Sequence, residues 1–577
     1  MTDQDGIELH LPPRMKPLRG PAGTGPDDIK ELTAAYHRFI KGLTCIPCDL
    51  LWWAGPLASK NPFDSPLFEA LVKFTSVLDR ADGRMKAGIP ARVVADDPLI
   101  GEDLEAFCRR SGIPYSGGRR RMPFGLHILF RSVLFTGFFL VLHLYRKLVL
   151  WLVLRKHIAR ALGDPRPAYL VRSWIDHRSF DAAGQYRDAY FGNLPSLLGA
   201  GRRVVVVAEI VWTYPYLSAA RLIRSQYPGL TIIPQEHFLA LSDLVRAALL
   251  PFAGIPELRE GITFSGRDVR GIVERAIRID RSSLTIRNNL AIHYLTREMG
   301  RQIPLTHFTY SFENHAHEKM MLLGLREQSR PPFSIGYQHG GLSRMLLNYF
   351  LAEGEAACVP LPDRILTTGE ETRRILVEEG HFPADRVHPS CALRYGYLDA
   401  IGIRKRGNAR VLFAPLPVDI EAARAVLALL DATFRDLPGY EIRVKNHPLI
   451  PWEDIVGGAG PGGLAASIVH ARKDSTADLL AKSDMVLYTQ TTTCIEALRV
   501  GVPVVFLDVF TLFDADYILL ENPFRWTASD PVSLRKAVEE ISRMDEASFL
   551  ARQREGVRYG MEYLTPVSDT ALACFVP

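Results

Sequence analysis

The chain has 577 residues, which is more than a single hydrophobic core normally supports, so we expect two large lobes with attached segments. Apolar residues make up 47% of the chain and charged residues 23%, as in an ordinary folded protein. The net charge of +5 is small for this length, so bulk charge does not indicate nucleic-acid binding and no nucleic-acid partner is expected.

The amino-terminal segment, residues 1–35, is predicted to be disordered or irregular. It begins with MTDQDGIELHLPPRMKPLRGPAGTGPDD, which is polar, rich in proline and glycine, and lacks the apolar core of a signal peptide. The chain is therefore expected to stay in the cytoplasm.

The seven cysteines are odd in number and sparse, which argues against a disulfide framework. Cys45 and Cys48 form a C-x-x-C motif, but no second pair and no histidine follows at zinc spacing. Small buried side chains are the favoured interpretation, with a metal or redox role as the alternative.

From residue 36 onward a β-branched run, a turn and an amphipathic helix alternate along the chain. In the first half the runs are ARVVADD, AYLVRSW, RRVVVVAEI, LTIIPQEH, LTHFTYSF, FSIGYQHG and DRILTTG. After RKRGNAR the pattern restarts with VLFAPLP, YEIRVKNHP, MVLYTQ and VPVVFLD. This alternation predicts an α/β fold with parallel sheets in two Rossmann-like lobes, residues 36–404 and 405–577, that face a cleft.

A long apolar segment at about residues 122–160 interrupts this pattern. It is long enough to span a bilayer, but four basic residues break it: Arg131, His143, Arg146 and Lys147. The strand-like RVVADD precedes it and YLVRSW follows it; if both belong to one sheet, a single crossing would place them on opposite sides of the membrane. We therefore expect a monotopic helix or helical hairpin inserted into the first lobe, with a buried core helix as the alternative.

Basic clusters flank this segment and suit the anionic headgroups of a membrane surface. They comprise Arg109, Arg110, Arg119, Arg120 and Arg121 before the segment, and Arg155, Lys156 and Arg160 after it. A second apolar stretch, LVRAALLPFAGIPEL, is expected on the same face.

Candidate catalytic residues follow the predicted strand LTHFTY in the motif SFENHAHEKM. A carboxylate at a strand end is a suitable general base for an acceptor hydroxyl, so Glu313 is the first candidate. Asn314 and His317 are candidates for acceptor contacts, and Glu313 and His317 share a face if both are helical. The alternative is that these acidic residues merely favour a helix start.

The motif YQHGG follows the next predicted strand. Its glycines, Gly340 included, allow close backbone approach to a ligand, and Gln338 and His339 are expected to point towards it. His339 is the second candidate for the catalytic base.

The carboxyl-terminal half contains a candidate phosphate site in TQTTTCIEAL. Thr491, Thr492 and Thr493 lie between a strand that ends at Tyr488 and a predicted helix, where hydroxyl and N–H groups can bind an anion. Helix capping is the alternative, but it needs only one threonine. Glu496 could contact ribose hydroxyls or complete a capping box with Thr493.

His447 lies in KNHP at the end of the predicted strand EIRV, where an imidazole can donate to a phosphate oxygen. Lys445 of the same motif joins the candidate donor site. A histidine in a solvent-exposed loop is the alternative.

The HP motif, together with a hydroxyl-rich strand-to-helix turn followed by EAL, resembles GT-B glycosyltransferases from about Leu43 onward. It looks most like bacterial surface-polysaccharide transferases that share HP and SS/ST motifs with sialyltransferases and Kdo transferases, and CDP-glycerol glycerophosphotransferases carry a related pattern. The resemblance implies that His447 and Thr491–Thr493 bind the donor phosphate. Threonine replaces the usual serine, and the acidic sialyltransferase motif is missing, so the resemblance does not assign the base.

The first hypothesis is a glycosyltransferase that moves a sugar from a nucleotide-sugar donor, for which a CMP-linked sugar is one candidate, to a lipid-linked or polysaccharide acceptor. It would work in bacterial surface carbohydrate synthesis on the cytoplasmic face of the inner membrane. No metal or other cofactor is expected, and DAD at Asp514–Asp516 is discounted as a loop. The alternatives are a polyol-phosphate transferase of CDP-glycerol type, a nucleotide-sugar epimerase, or a non-catalytic scaffold docked on a membrane.

Overall fold

The computed structural model describes residues 8–11, 26–44, 49–89, 91–95, 97–117, 123–199, 201–226, 229–255, 258, 261–457, 463–509 and 515–576. The C-x-x-C motif, the arginines at 119–121 and Asp514 lie outside these residues, so what the sequence predicts for them stays a prediction.

Strands and helices are numbered in chain order. The strands are β1 Glu8–Leu11, β2 Arg92–Ala95, β3 Tyr115–Gly117, β4 Ala168–Ile175, β5 Arg203–Ile210, β6 Thr231–Pro234, β7 Thr263–Phe264, β8 Arg267–Asp268, β9 Leu305–Ser311, β10 Phe333–Tyr337, β11 Arg364–Thr367, β12 Val387–Pro389, β13 Val411–Pro415, β14 Glu441–Lys445, β15 Ile468–His470, β16 Met485–Tyr488, β17 Val504–Leu507 and β18 Arg525–Ala528. The helices are α1 Pro26–Thr44, α2 Leu50–Ala54, α3 Leu67–Lys86, α4 Gly101–Ser111, α5 Phe124–Leu162, α6 Leu194–Leu198, α7 Tyr216–Ser225, α8 Leu241–Leu249, α9 Arg270–Ser282, α10 Leu284–Gln302, α11 Ala316–Arg326, α12 Glu370–Arg374, α13 Tyr397–Ile401, α14 Ile420–Phe434, α15 Trp452–Val456, α16 Thr476–Lys482, α17 Thr493–Arg499, α18 Pro531–Arg543, α19 Glu546–Tyr563 and α20 Asp569–Ala573.

The chain divides into two compact units. The first comprises Met1–Met15, Lys30–Tyr337 and Leu347–Ile365, and the second comprises Lys16–Ile29, Gln338–Leu346 and Leu366–Pro577. The boundary that the sequence predicts, between residues 404 and 405, therefore falls inside the second unit.

The large sheet that begins in the first unit has the strand order β12-β11-β10-β9-β4-β5-β6. The described pairings from β10 through β6 are parallel. The run Val204–Val207 in β5 is buried throughout, as expected for a parallel strand covered on both faces. Counted from β4, the order runs outward in one direction to β6 and then restarts at β9 on the other side. Such a reversal is the topological switch point where ligands bind in doubly wound sheets.

The sheet of the second unit repeats this plan with the order β15-β14-β13-β16-β17-β18, parallel throughout. Its switch point lies between β13 and β16. The two sheets confirm the predicted α/β class and the two Rossmann-like sheets of the GT-B-like fold. Most of the predicted strands appear at their predicted places, because each is an apolar run bounded by turn residues.

Two predictions for the amino-terminal part are corrected. Residues 1–35 are not irregular throughout, since they contain β1 and the start of α1, whose Tyr36 and Ile40 are one helical turn apart and buried. Pro26 suits the first position of that helix, because its missing N–H needs no partner there. In addition, β2 pairs with β1 and β3 in a separate three-stranded sheet, so the strands on either side of the apolar segment do not share a sheet.

The apolar segment forms one continuous helix, α5, rather than a hairpin. At 39 residues it is about 58 Å long, and by length and composition it could cross a membrane. However, its buried residues recur at spacings of three, four and seven positions, which places one face of the helix against α7, α8, α9 and α10 of the first unit. It is also not a buried core helix, because Phe130 is 62% exposed and Val141 is 68% exposed.

The basic residues that interrupt the apolar segment belong to its packed side. Arg146 donates to Glu236 at 2.6 Å and Lys147 to the carbonyl of Leu239 at 2.6 Å. The ring nitrogen of His143 lies 3.3 Å from the side chain of Asn288. Because these charges point into the first unit, they do not interrupt the apolar face on the other side of the helix.

Candidate functional site

The threonine motif lies at the switch point of the second unit, where β16 ends and α17 begins at Thr493. The hydroxyl of Thr491 accepts the backbone N–H of Thr493 at 3.3 Å and lies 3.0 Å from the hydroxyl of Thr493. Thr492, the residue before the helix, makes no capping hydrogen bond with its side chain. The helix start therefore uses one hydroxyl, and capping does not explain the other two.

A glycine that the sequence did not single out allows the threonine turn to pack. A Cβ atom on Gly341 would lie 2.3 Å from Cγ2 of Thr492 and 2.4 Å from the ring of Tyr517, closer than atoms can approach. A Cβ atom on Gly340 would meet nothing within 4 Å. The structure thus assigns the close backbone approach to Gly341, and the contacted group is the threonine motif.

We therefore expect Gly341→Ala to lower the free energy of unfolding by about 1–3 kcal/mol, the usual cost of overpacking, and to displace Thr492. Gly340→Ala is the matched control and should melt like the wild type. Chemical denaturation of both variants measures the difference. Equal stability of the two variants would contradict the packing described for Gly341.

Glu496 lies one turn into α17 and is buried. It does not form the predicted capping box with Thr493, because its carboxylate accepts the hydroxyl of Tyr397. Burial raises the pKa of Glu496, and the bond from Tyr397 and the charge of Arg394 oppose that rise. Tyr395, next to Arg394, hydrogen-bonds with the hydroxyl of Thr492. These residues of α13 and the loop before it carry no sequence pattern, so sequence analysis missed them.

His447 follows β14, which lies next to β13 at the same switch point. Its Nδ1 accepts the backbone N–H of Leu449 at 3.3 Å, which leaves Nε2 as the N–H donor. Partial burial lowers the pKa of His447 below its ordinary value, so the neutral form dominates at pH 7. Nζ of Lys445 donates to the carbonyl of Asp474 at 2.6 Å, which uses one of the three N–H groups of its ammonium.

In the first unit, Glu313 follows β9 and lies before α11, which begins only at Ala316. Glu313 is therefore not helical, so the condition under which it would share a helix face with His317 is not met. Instead, Glu313 Oε2 lies 3.0 Å from Nε2 of His315, whose Nδ1 lies 3.1 Å from Asp64. Asp64 is far away in the sequence, and its motif NPFDSP gives no sign of this contact.

The imidazole of His315 is held between two carboxylates. Burial disfavours its charged form, but the hydrogen bonds to Asp64 and Glu313 outweigh burial and raise the pKa of His315 to about 10. The backbone turn is fixed by Glu318, which accepts the N–H groups of Glu313 and Asn314 at 2.9 Å each. The carboxyl group of Glu313 thus lies at the switch point of its sheet, paired with His315.

This pairing predicts a stability change with pH. The folded-state pKa of His315 lies above the value of about 6.5 expected in the unfolded chain. The stabilisation is therefore complete below about pH 6.5 and is lost as the pH rises through about 10. We expect the difference in melting temperature between the wild type and His315→Gln to shrink over this range. A difference that does not change with pH would contradict the charged imidazole.

Two predicted ligand contacts are corrected to structural roles. Asn314 adopts a left-handed backbone conformation, φ 58°, and its amide donates to the carbonyl of Asn348 at 2.8 Å. Gln338 is fully buried, accepts from the backbone N–H of Thr368 at 3.2 Å and donates to the carbonyl of Gly340. Both amides therefore help to hold turns.

His339 belongs to the second unit, and its Nδ1 lies 3.1 Å from Nη1 of Arg394. A guanidinium is always a donor, so this contact places the proton of a neutral His339 on Nε2. The second ring nitrogen of a neutral His339 is therefore an N–H donor and not a proton acceptor.

Asp516 of the DAD motif is buried and accepts the hydroxyl of Tyr488 at 2.5 Å, and it pairs with Arg525. These contacts give Asp516 a structural role. Within the described ranges, no group of three or more His, Cys, Asp or Glu residues is arranged to hold a metal ion.

No family model matches the chain, and no curated protein matches it. Solved structures similar to it include the calicheamicin glycosyltransferase CalG4, at 15% identity over 69% of this chain and 95% of that chain, with a TM-score of 0.41. UDP-GlcNAc 2-epimerase from Neisseria meningitidis matches at 10% identity over 71% and 98%, with a TM-score of 0.39. The wall teichoic acid polymerase TagF matches at 11% identity over 70% and 86%, with a TM-score of 0.34.

The solved structures that this chain is similar to thus include glycosyltransferases and a wall teichoic acid polymerase. Similarity at this level assigns neither an activity nor a substrate to the chain.

Proposed function

We propose that the protein is a glycosyltransferase whose second unit binds a nucleotide-sugar donor and whose first unit activates an acceptor hydroxyl. One observation carries the proposal: each Rossmann-like sheet has a chemically suited polar cluster at its switch point. The second unit offers hydroxyl and imidazole donors for a phosphate, and the first offers the carboxylate of Glu313.

In the proposed reaction, the acceptor oxygen attacks the anomeric carbon as the bond from that carbon to the donor phosphate breaks. Glu313 takes the hydroxyl proton and later releases it to solvent. The leaving phosphate gains negative charge, which His447 Nε2–H and the threonine hydroxyls stabilise. These groups need no metal ion for this step, so metal independence is part of the proposal.

Thermal shifts with a panel of nucleotides test the proposal. At least one of UDP, CMP, CDP, GDP and dTDP should raise the melting temperature, because a ligand at 100 times its Kd stabilises by about 2.7 kcal/mol. Incubation with the matching nucleotide sugar and analysis of products then separates sugar transfer from epimerisation or polyol-phosphate transfer. Absence of any nucleotide shift would contradict the proposal and favour the scaffold alternative.

We further propose that the protein docks on the cytoplasmic face of a membrane through α5 without crossing the bilayer. The buried face of α5 packs on the first unit from Ser132 to Ala161. If α5 spanned a bilayer, the first unit would have to enter the hydrocarbon core with it. The opposite face is apolar, and α8, which contacts α5, adds Leu241, Val245 and Leu249. This supports the expectation that the second apolar stretch lies on the same face.

We expect the triple change of Phe130, Leu134 and Val141 to glutamine to abolish flotation of the full-length protein with phosphatidylglycerol vesicles. These side chains are more than half exposed and lie on one face of α5, so the fold does not depend on them. A control triple change to glutamine at Leu197, Ile403 and Val532, which are also exposed apolar residues, should float like the wild type.

Equal flotation of both triple variants would contradict docking through α5. Protease treatment of sealed vesicles with protein bound outside checks the topology. Shielding of one terminus while the other is cut would show a crossing and refute the monotopic arrangement.

A further inference from the structure

Two side chains at the switch point of the first unit have buried polar atoms that the fold does not use. Arg172 lies in β4 and is 2% exposed; its Nη2 donates to Glu209, but Nε and Nη1 have no hydrogen-bond partner among the described residues. His317 lies in the first turn of α11, and its buried Nε2 also has no partner among them.

Arg172 and His317 both contact the ring of Trp174. The guanidinium of Arg172 lies 4.3 Å from the ring centroid of Trp174, and the ring of His317 lies 5.9 Å from it, edge to face. Trp174 itself is only partly buried, and it also contacts the partly exposed ring of Tyr190 at 5.0 Å. Movement of the Trp174 ring would therefore open the unused nitrogen atoms to a ligand.

A purely structural role does not explain these residues. Burial of an unpaired polar group carries its full desolvation cost, and that cost is larger for a charged group. An apolar side chain of similar size would fill either position without it. Guanidinium and imidazole N–H groups are the usual partners of phosphate and carboxylate oxygens.

The unused nitrogen atoms lie close to the candidate base. The rings of His317 and His315 stack with their centroids 5.6 Å apart, and Nε2 of His315 lies 3.0 Å from Glu313. A group bound beside His317 would therefore lie near the carboxylate that is proposed to deprotonate the acceptor.

We propose that Arg172 and His317 bind an oxyanion of the acceptor, a phosphate or a carboxylate, next to the hydroxyl that Glu313 deprotonates. The assignment of this ligand as the acceptor rests on the proposed function. The acceptor is then a phosphate-bearing or acidic saccharide, and a neutral saccharide lacks the group that these residues recognise. The Trp174 ring turns aside as the oxyanion enters.

Isothermal titration of the full-length protein with methyl phosphate, glucuronate and glucose tests the proposal. The wild type should bind one or both anions and not glucose. Binding of methyl phosphate alone identifies a phosphate-bearing acceptor, and binding of glucuronate alone identifies an acidic sugar. Arg172→Met and His317→Phe should each weaken anion binding at least tenfold. Unchanged binding in both variants, or binding of neither anion by the wild type, would overturn the proposal.

His317→Phe keeps the aromatic ring and removes the unpaired nitrogen, so it should melt at or above the wild-type temperature while losing anion binding. A clearly lower melting temperature would mean that the nitrogen serves the fold, which would also overturn the proposal.

His447→Ala is the control for phosphate binding in the second unit, and it should leave glucuronate binding unchanged. If no nucleotide binds but the anion still depends on Arg172, the proposed function fails and this site stands. If nucleotides bind but binding of the anion does not depend on Arg172, the proposed function stands and this site is refuted.

Discussion

Replacement of Glu313 by glutamine should lower the turnover number by about 10²–10⁴-fold, the usual contribution of a general base, and leave nucleotide-donor affinity nearly unchanged. Glutamine has the same size and can still contact His315, but it cannot take a proton. The groups proposed to bind the donor lie in the second unit and are not altered by the change. Steady-state kinetics with the nucleotide sugar identified by the thermal-shift panel measure the effect.

Asp64→Asn is the matched control, because Asp64 contacts the same imidazole of His315 from its other nitrogen. This change should cost less activity, since Asp64 positions the imidazole and does not accept the acceptor's proton. Equal losses in both variants would show that Glu313 acts only through His315. Full activity of Glu313→Gln would move the base elsewhere.

Loss of the imidazole of His447 should lower kcat as well as donor affinity. Strands β14 and β16 are separated by β13, so the ends of these strands lie about 10 Å apart and a single phosphate could bridge His447 and the threonine turn. Charge on the leaving phosphate grows as the glycosidic bond breaks, so these donors bind the transition state more strongly than the substrate. A hydrogen bond to a charged group contributes about 1.5–3 kcal/mol, so His447→Ala should cost roughly 10–150-fold in kcat/KM.

Thr492→Val should act in the same direction, and so should Thr491→Val with an added loss of stability, because Thr491 accepts the N–H of Thr493. The control is Thr527→Val, since Thr527 is exposed in β18, an edge strand that β17 separates from β16. It should leave nucleotide affinity and melting temperature unchanged.

The double variant of His447 and Thr492 should lose less binding free energy than the sum of the two single losses if one phosphate is shared. Isothermal titration with the nucleotide measures the affinity of each variant. Unchanged affinity in the Thr491 and Thr492 variants would show that the threonines only start the helix.

Local pattern accounts for much of the fold and for the donor half of the candidate site. The strands β13, β14 and β16 end where the sequence predicts, because buried parallel strands are apolar runs and a proline or polar turn stops them. His447 and the threonine turn were found in this way, since strand ends in parallel sheets carry ligands. The sequence could not show that Lys445 donates to the carbonyl of Asp474, because that carbonyl lies in a loop of no distinctive pattern.

The acceptor half was less predictable. Glu313 was selected from its place after a strand, but Asp64 and Arg172 were not, because their contacts with His315 and Glu209 join side chains that are distant in the sequence. The helix start at Ala316 also separated Glu313 from His317, which the spacing of four residues had placed on one face. Gln338 and Asn314 looked like ligand groups, although each holds a turn in the folded chain.

By itself the sequence determined the α/β class, the order of strands and helices, the apolar segment at α5 and the residues at the strand ends. These features follow from the periodicity of apolar side chains and from turn residues, which act over a few positions. Only the tertiary structure decided which strands are neighbours, where the switch points lie, and that Arg146 and Lys147 face the protein while the apolar side of α5 faces outward. Such features depend on pairing and burial between distant segments, and hydrophobic periodicity does not encode the partner of a buried charge.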